Sequence, residues 1–279
     1  MQTENYFCGN TEKVPENAKD SIENSIAQVI GEESEDADDN PFIRAEESEA
    51  YKKLEREYRE YRTKKVLSRV DWLITGAAPA ADVKEEIKRV AASSGQRAVV
   101  APCVTAEARR MLPAMIAVET LVDYPYASGG QKAVLAEIRG ALQNKTDVCA
   151  AVNLSAYASG NSRPLDKRLR TLTKLGGRNR VTPMFSADGL GVEQTTRLAL
   201  IVRRYKFSGV KIIVGDDFKK AADAVKIFCD AIGGQCRVEA VGNVRTAEEA
   251  EALFGAGAER IVTTDYASLS RQRLDNVTV

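Results

Sequence analysis

The run FSGVKIIVGDD, Phe207 to Asp217, sets an ammonium group, Lys211, in an apolar stretch of strand length bounded by glycines. A lysine walled by Val and Ile loses hydration, which favours its neutral form. The neutral amine is the nucleophile of Schiff-base chemistry. The bland alternative is a lysine that snorkels from a strand to water. Little else in the chain could replace this chemistry. There is no histidine among the 279 residues, which removes His general bases, Ser-His triads and the usual zinc and non-haem iron sites. No metal or cofactor is expected. The five cysteines, Cys8, Cys103, Cys149, Cys229 and Cys236, form no CxxC pair and read as thiols of a reducing compartment. Cys103 and Cys149 fall at strand ends as small core residues. The basic group Lys167, Arg168, Arg170, Lys174, Arg178 and Arg180 lacks interleaved aromatics and reads as a solvated helix face, so no nucleic acid is expected.

The elements that must position Lys211 begin near residue 66, where short apolar runs alternate with amphipathic segments. WLIT precedes a helix at 80–93, AVVA one at 105–112, and IAVETLVDY one at about 130–142. VCAAVNL precedes LDKRLRTLTKL, and RVTPMF precedes GVEQTTRLALIVRRY. VKIIV precedes 217–232, CRVEAV precedes 246–257, and RIVTT precedes a last helix. Eight strand–helix units imply right-handed βαβ connections and a parallel sheet. They suit a closed (β/α)8 TIM barrel over 66–279, with a doubly wound open sheet as competitor. No GxGxxG opens the first unit, so the dinucleotide fold lacks its fingerprint. In a barrel, Lys211 falls on the sixth strand with its side chain inward.

The N-terminal part differs in composition. Residues 1–65 hold 17 acidic and 10 basic residues, net −7, and the remainder carries +7. GEESEDADDN is too polar and too acidic to order itself, so 1–45 is expected to be a partly disordered acidic extension with one short helix at SIENSIAQVI. Residues 46–65 form an amphipathic helix whose stripe of Tyr51, Leu54, Tyr58 and Tyr61 packs on the protein or docks a partner or second subunit. No apolar run is long enough to span a membrane, and no basic n-region precedes an apolar stretch, so the expected location is cytoplasmic.

From about 70 to 264 the chain resembles deoxyribose-phosphate aldolase, a class I aldolase family. VDYPYASGGQKAVLAEIRGAL resembles its third strand and following helix. SGVKIIVG sits where the family carries its Schiff-base lysine. VEAVGNVRTAEEAEALFGAGAERIVTT resembles its seventh strand, Gly-rich turn and eighth strand, and RVDWLI its first strand with the acidic Asp71. The resemblance implies a lyase acting on a small aldehyde or a sugar-phosphate-like substrate. Lys211 would be the nucleophile, with Glu239 and Asp71 beside it. Gly215, Gly242, Asn243 and Thr264 would form the substrate-binding turns.

The departures carry equal weight. The family's fourth strand has an Asp that moves protons, and here TDVCAAVNL places Ala150 there. The family's seventh strand has a second lysine that lowers the nucleophile's pKa, and here Glu239 takes that place. Adjacent strands lie about 4.8 Å apart, so Glu239 reaches Lys211 and reverses the sign of the effect. Asp216, Asp217 and Asp265 crowd the turns that hold phosphate in the family, offset by Lys219, Lys220 and Arg245. Two readings follow: a Schiff-base lyase with altered substrate or reduced activity, and a catalytically lapsed barrel kept for binding or assembly. The composition break itself yields a prediction. Removing residues 1–45 is expected to shift the melting temperature by less than about 5 °C, on the order of 1–2 kcal/mol. A larger fall in thermal unfolding would mean that the segment is built into the fold.

Overall fold

The computed structural model describes residues 49–275 except Ala78, Ser94, Ala187 and Asp216. The expected extension 1–45, with its helix at SIENSIAQVI, lies outside the described residues, as do Asp216 and the side chain of Tyr51. The chain divides into two compact units, Met1–Arg62 and Thr63–Val279. The described part of the first is the N-terminal portion of helix α1 (Glu49–Leu67), on which Leu54, Tyr58 and Tyr61 are half-buried.

The second unit is the expected barrel. Its strands are β1 (Val70–Ile74), β2 (Arg97–Val100), β3 (Ala117–Val122), β4 (Asp147–Ala151), β5 (Val181–Ser186), β6 (Gly209–Val214), β7 (Arg237–Gly242) and β8 (Arg260–Thr263). They pair in sequence order, all parallel, and β8 returns to β1 to close the sheet. The helices are α2 (Ala80–Ala92), α3 (Pro102–Met111), α4 (Gln131–Gln143), α5 (Ser155–Ala158), α6 (Arg163–Gly176), α7 (Val192–Arg203), α8 (Phe218–Ile232), α9 (Ala247–Gly255) and α10 (Tyr266–Asp275).

Local sequence explains the elements. In α6, Leu165, Leu169 and Leu172 recur at helical spacing and are all buried, while charged residues face out. The TAEE of α9 is a capping box: Thr246 Oγ1 accepts from the Glu249 amide, and Glu249 Oε2 accepts from the Thr246 amide. Gly233, at φ 62°, ends α8 in the left-handed conformation. Each strand shows one face to the helices and the other to the lumen. The larger apolar core lies between strands and helices and contains Ile74, Val100, Val122, Ala150, Phe185, Ile212 and Ala240. A separate cluster fills the lumen. At the β8–β1 seam, Trp72 stacks on Tyr266 of α10 with ring centroids 4.5 Å apart.

The end of α6 approaches β5 so closely that a Cβ on Gly176 would lie 2.2 Å from Val181 Cγ2. Val181 is buried and β-branched, so it has no free rotamer to yield with. Gly176→Ala is therefore expected to cost about 1–3 kcal/mol, a drop of roughly 2–12 °C in melting temperature. An unchanged midpoint in a thermal melt would show that α6 slides freely on β5.

Candidate active site

Period-2 alternation turns one residue in two of every strand toward the lumen. On β1, β2, β3, β6, β7 and β8 this sets Asp71, Arg97, Glu119, Lys211, Glu239 and Arg260 in a single ionic layer. Lys211 and Glu239 are direct register partners, as are Glu239 and Arg260. The Lys211 Nζ donates to Glu239 Oε2 in a very short contact, and it lies 3.1 Å from Glu119 Oε2. Arg97 joins three acids. Its Nε and Nη2 donate to Asp71 Oδ2 at 3.0 and 2.8 Å, its Nη2 donates to Glu239 Oε2 at 2.7 Å, and its Nη1 lies 3.3 Å from Glu119 Oε2. Arg260 forks onto Asp71 through Nε at 2.8 Å and Nη2 at 2.6 Å. Glu119 Oε2 is held by these charges at close range but receives no aligned hydrogen bond. The layer holds three acids and three bases, so its formal charge is zero.

The electrostatics keep Lys211 protonated. Burial and the neighbouring Arg97 both pull its pKa down, but Glu119 and Glu239 outweigh them, and the ammonium is held above the usual lysine range. Burial pushes Glu239 up, yet Lys211 and Arg97 draw its carboxyl far below the usual range. Burial opposes the Arg97 charge, while Glu119, Glu239 and Asp71 hold the guanidinium well above its ordinary value.

Access is closed as well. Two residues further along the same strands stand Leu73, Val99, Leu121, Ile213, Val241 and Val262, joined by Cys149, Ala151 and Met184. This apolar plug lies between the ionic layer and the C-terminal mouth, and Lys211 is 0% exposed. A cavity of about 280 Å³ at the mouth touches Thr75, Leu121, Asp123, Tyr124 and Glu137, but Lys211 does not line it. Gly215 follows β6, Gly242 ends β7, and Asn243 and Thr264 follow β7 and β8, so all four lie at the mouth, beyond the plug. Asp217 caps α8, its Oδ1 accepting from the Lys220 amide at 3.1 Å, and Asp265 lies 3.8 Å from Arg245. The carboxylate of Asp188 packs on Gly215, 2.6 Å from where a Cβ would stand.

The chain is similar to several deoxyribose-phosphate aldolases. No family model matches the chain. Deoxyribose-phosphate aldolase 1 of Vibrio vulnificus is 26% identical over 156 residues, 55% of this chain and 71% of that protein. The deoxyribose-phosphate aldolase of Clostridium kluyveri is 24% identical over 164 residues, 57% and 75% respectively. Among solved structures, the aldolase QR15 superposes with a TM-score of 0.65 at 17% identity, covering 76% of this chain and 97% of that one. The tetrameric deoxyribose phosphate aldolase of Aeropyrum pernix gives 0.60 at 17%, covering 76% and 92%. The chain is a divergent relative of the deoxyribose-phosphate aldolases.

Against the aldolase pattern, the structure brings Lys211, Glu239 and Asp71 into one cluster and leaves the four turn residues apart from it. The structure does not turn Ala150 inward: it faces the helices, and the lumen-facing residues of β4 in the apolar cluster are Cys149, whose Sγ lies 3.8 Å from the Thr120 carbonyl, and Ala151. Burial and Glu119 push the Cys149 thiol well above its usual range, so it supplies no proton transfer at neutral pH. Sequence reasoning missed Arg97, Glu119, Arg260 and Asp188. Of these, Glu119 carried a signal, as a charge interrupting the apolar run of β3. Among the described residues, no group of three or more His, Cys, Asp or Glu is placed to hold a metal, and no helix is long and apolar enough to cross a membrane.

The network predicts a specific stability profile. Lys211→Met leaves two buried carboxylates short of a cation and is expected to cost about 3–5 kcal/mol in chemical denaturation. Adding Glu239→Gln restores neutrality and should recover most of that loss. Glu239 has a depressed folded pKa, so its contribution is full above about pH 5 and declines as pH falls below that. Lys211 has a raised folded pKa, so its contribution is full below about pH 10 and declines as pH rises above it. Denaturation midpoints measured from pH 3 to 11 should fall at both ends, and the acid limb should flatten in Glu239→Gln. Equal stability of the single and double variants would refute the pairing.

Proposed function

We propose that this chain is an aldolase-type barrel whose Schiff-base position has become a structural ion pair, and that it serves as a binding or assembly protein. The observation that carries this reading is the state of Lys211: a protonated amine, fully buried between two carboxylates, beneath an apolar plug. A class I lyase needs a neutral amine and a path for the carbonyl carbon, and both are opposed here. The mouth supports the same reading. The Asp188 carboxylate packed on Gly215 opposes a phosphate dianion at that turn, while Asp217 and Asp265 are offset by Lys220 and Arg245. Assembly through the Leu54, Tyr58 and Tyr61 stripe of α1, with a second copy or another protein, and a cytoplasmic location belong to this proposal.

The second reading is a Schiff-base lyase of reduced activity on a small aldehyde. What favours it is the lysine itself, in a chain whose curated relatives are named deoxyribose-phosphate aldolases. One experiment separates the two. The full chain is incubated with acetaldehyde or deoxyribose 5-phosphate at pH 7, reduced with borohydride and mapped by peptide mass. The expected result is sparse labelling of surface lysines and none on the peptide containing Lys211. Stoichiometric labelling of that peptide, abolished in Lys211→Arg, would establish the lyase and overturn the lapsed-barrel reading.

A further inference from the structure

The charge of the barrel is not spread evenly around it. Residues 163–206, from α6 to the turn after α7, hold 11 basic and 3 acidic residues, net +8. The remainder of 66–279 holds 19 basic and 20 acidic residues, net −1. One sector therefore accounts for the whole excess. Its acids are already engaged: Asp166 pairs with Arg170, Glu193 pairs with Arg197, and Asp188 accepts from Ser186 Oγ at the mouth.

The excess is arranged as a surface. On α6, Arg163, Lys167, Arg170 and Lys174 recur at i, i+4, i+7 and i+11, all exposed, opposite the buried Leu165, Leu169 and Leu172. The end of α7 adjoins this stripe. Tyr205 Oη donates to Asp166 Oδ1 at 2.6 Å, and Arg204 lies within electrostatic reach of the same carboxylate. Arg203 and Lys206 flank that pair in sequence and are also exposed. An ordinary solvated helix mixes its signs, as α2 does with Asp82, Lys84, Glu85 and Lys88. The outward stripe of α6 does not. Its like charges stand three and four residues apart and repel, and Arg163 opens the helix, where the dipole disfavours a cation. Helix stability therefore does not account for the stripe.

The same chain supplies a complement. Residues 1–48, which precede the described part, hold 13 acidic and 3 basic residues, net −10. Six of those acids, and no base, fall in GEESEDADDN at 31–40. The chain as a whole is neutral, so copies do not repel one another while their opposite charges attract. Nucleic acid is the weaker match, because the chain's own acids would repel its phosphates.

We propose that the basic face of α6 and the end of α7 is an assembly surface, and that its partner is the acidic segment 31–40 of a second copy of this chain. Each copy carries one acidic segment and one basic face. The contact is therefore head-to-tail, and it propagates beyond a pair. It adds a second surface to the assembly reading of this barrel and rests on that reading. Lys211 takes no part in it, so self-association and the labelling of Lys211 fail or succeed independently.

Sedimentation velocity of the full-length chain tests the contact. The mean mass should rise with protein concentration at about 20 mM salt and return to that of the monomer at about 500 mM, where screening is strong. Lys167→Glu combined with Lys174→Glu, both exposed, should weaken association roughly tenfold or more, and Lys132→Glu on α4 should not. Replacing the six acids of 31–40 by Gln and Asn should weaken it as much as the double reversal does. The decisive arm mixes these two variants. One keeps its acidic segment and the other its basic face, so together they should form a pair that neither forms alone, and stop there. A monomer at every salt concentration overturns the proposal. So does association that the charge reversals leave unchanged. Failure of the mixed variants to pair would confine the contact to a single copy and overturn the second one as partner. Retention of a single-stranded RNA by a chain that stays monomeric would assign the face to nucleic acid instead.

Discussion

Everything in the lumen of this barrel depends on one constraint: six ionised side chains must balance in a space with little water. Asp71, Glu119 and Glu239 face Arg97, Lys211 and Arg260, and each charge is stabilised only by its neighbours. Desolvating one such group costs several kcal/mol, so the set is tolerable only when complete. Completeness in turn fixes geometry. The Lys211–Glu239 contact requires β6 and β7 to hold their register, and the Arg260–Asp71 fork spans the seam where β8 meets β1. Arg97 is the joint, because it alone touches all three acids. The ring of strands and the ring of charges therefore close together.

The same balance decides the chemistry open to Lys211. A Schiff-base lysine must give up its proton at neutral pH, which calls for neighbours that repel the ammonium. Arg97 does repel it, and burial works in the same direction, but two carboxylates at contact distance prevail. Glu239 thus sets the sign of the local field and makes the protonated lysine part of the stabilising structure.

The fold was legible because its signals are local and repeated: eight apolar runs separated by amphipathic helices leave little choice beyond a closed parallel barrel. The Lys211–Glu239 pair was legible too, since both charges interrupt apolar runs on consecutive strands. Glu119 interrupts IAVETLVDY in the same way and was absorbed into the strand. Arg97 and Arg260 fell at strand starts, where a charge reads as solvent-exposed. Their guanidinium groups reach back into the lumen, a consequence of side-chain length that spacing does not encode. The outward face of Ala150 has another origin: a match between small residues does not say which face of a strand they occupy. Asp188 was invisible because its contact with Gly215 joins two loops from different units of the barrel.

Charge and access are separate obstacles, and they protect one another. Removing the Glu239 carboxylate changes the field at Lys211 but leaves Met184 beside it and Ile213 and Leu121 in the plug. Opening the plug alone would admit water to an ammonium still held by Glu119 and Glu239. It would also expose apolar side chains whose burial contributes about 1.5–3 kcal/mol each. Imine chemistry at Lys211 would therefore need coordinated changes on at least three strands, each unfavourable alone. That coupling explains how the barrel can keep a buried lysine in its lumen and hold it protonated.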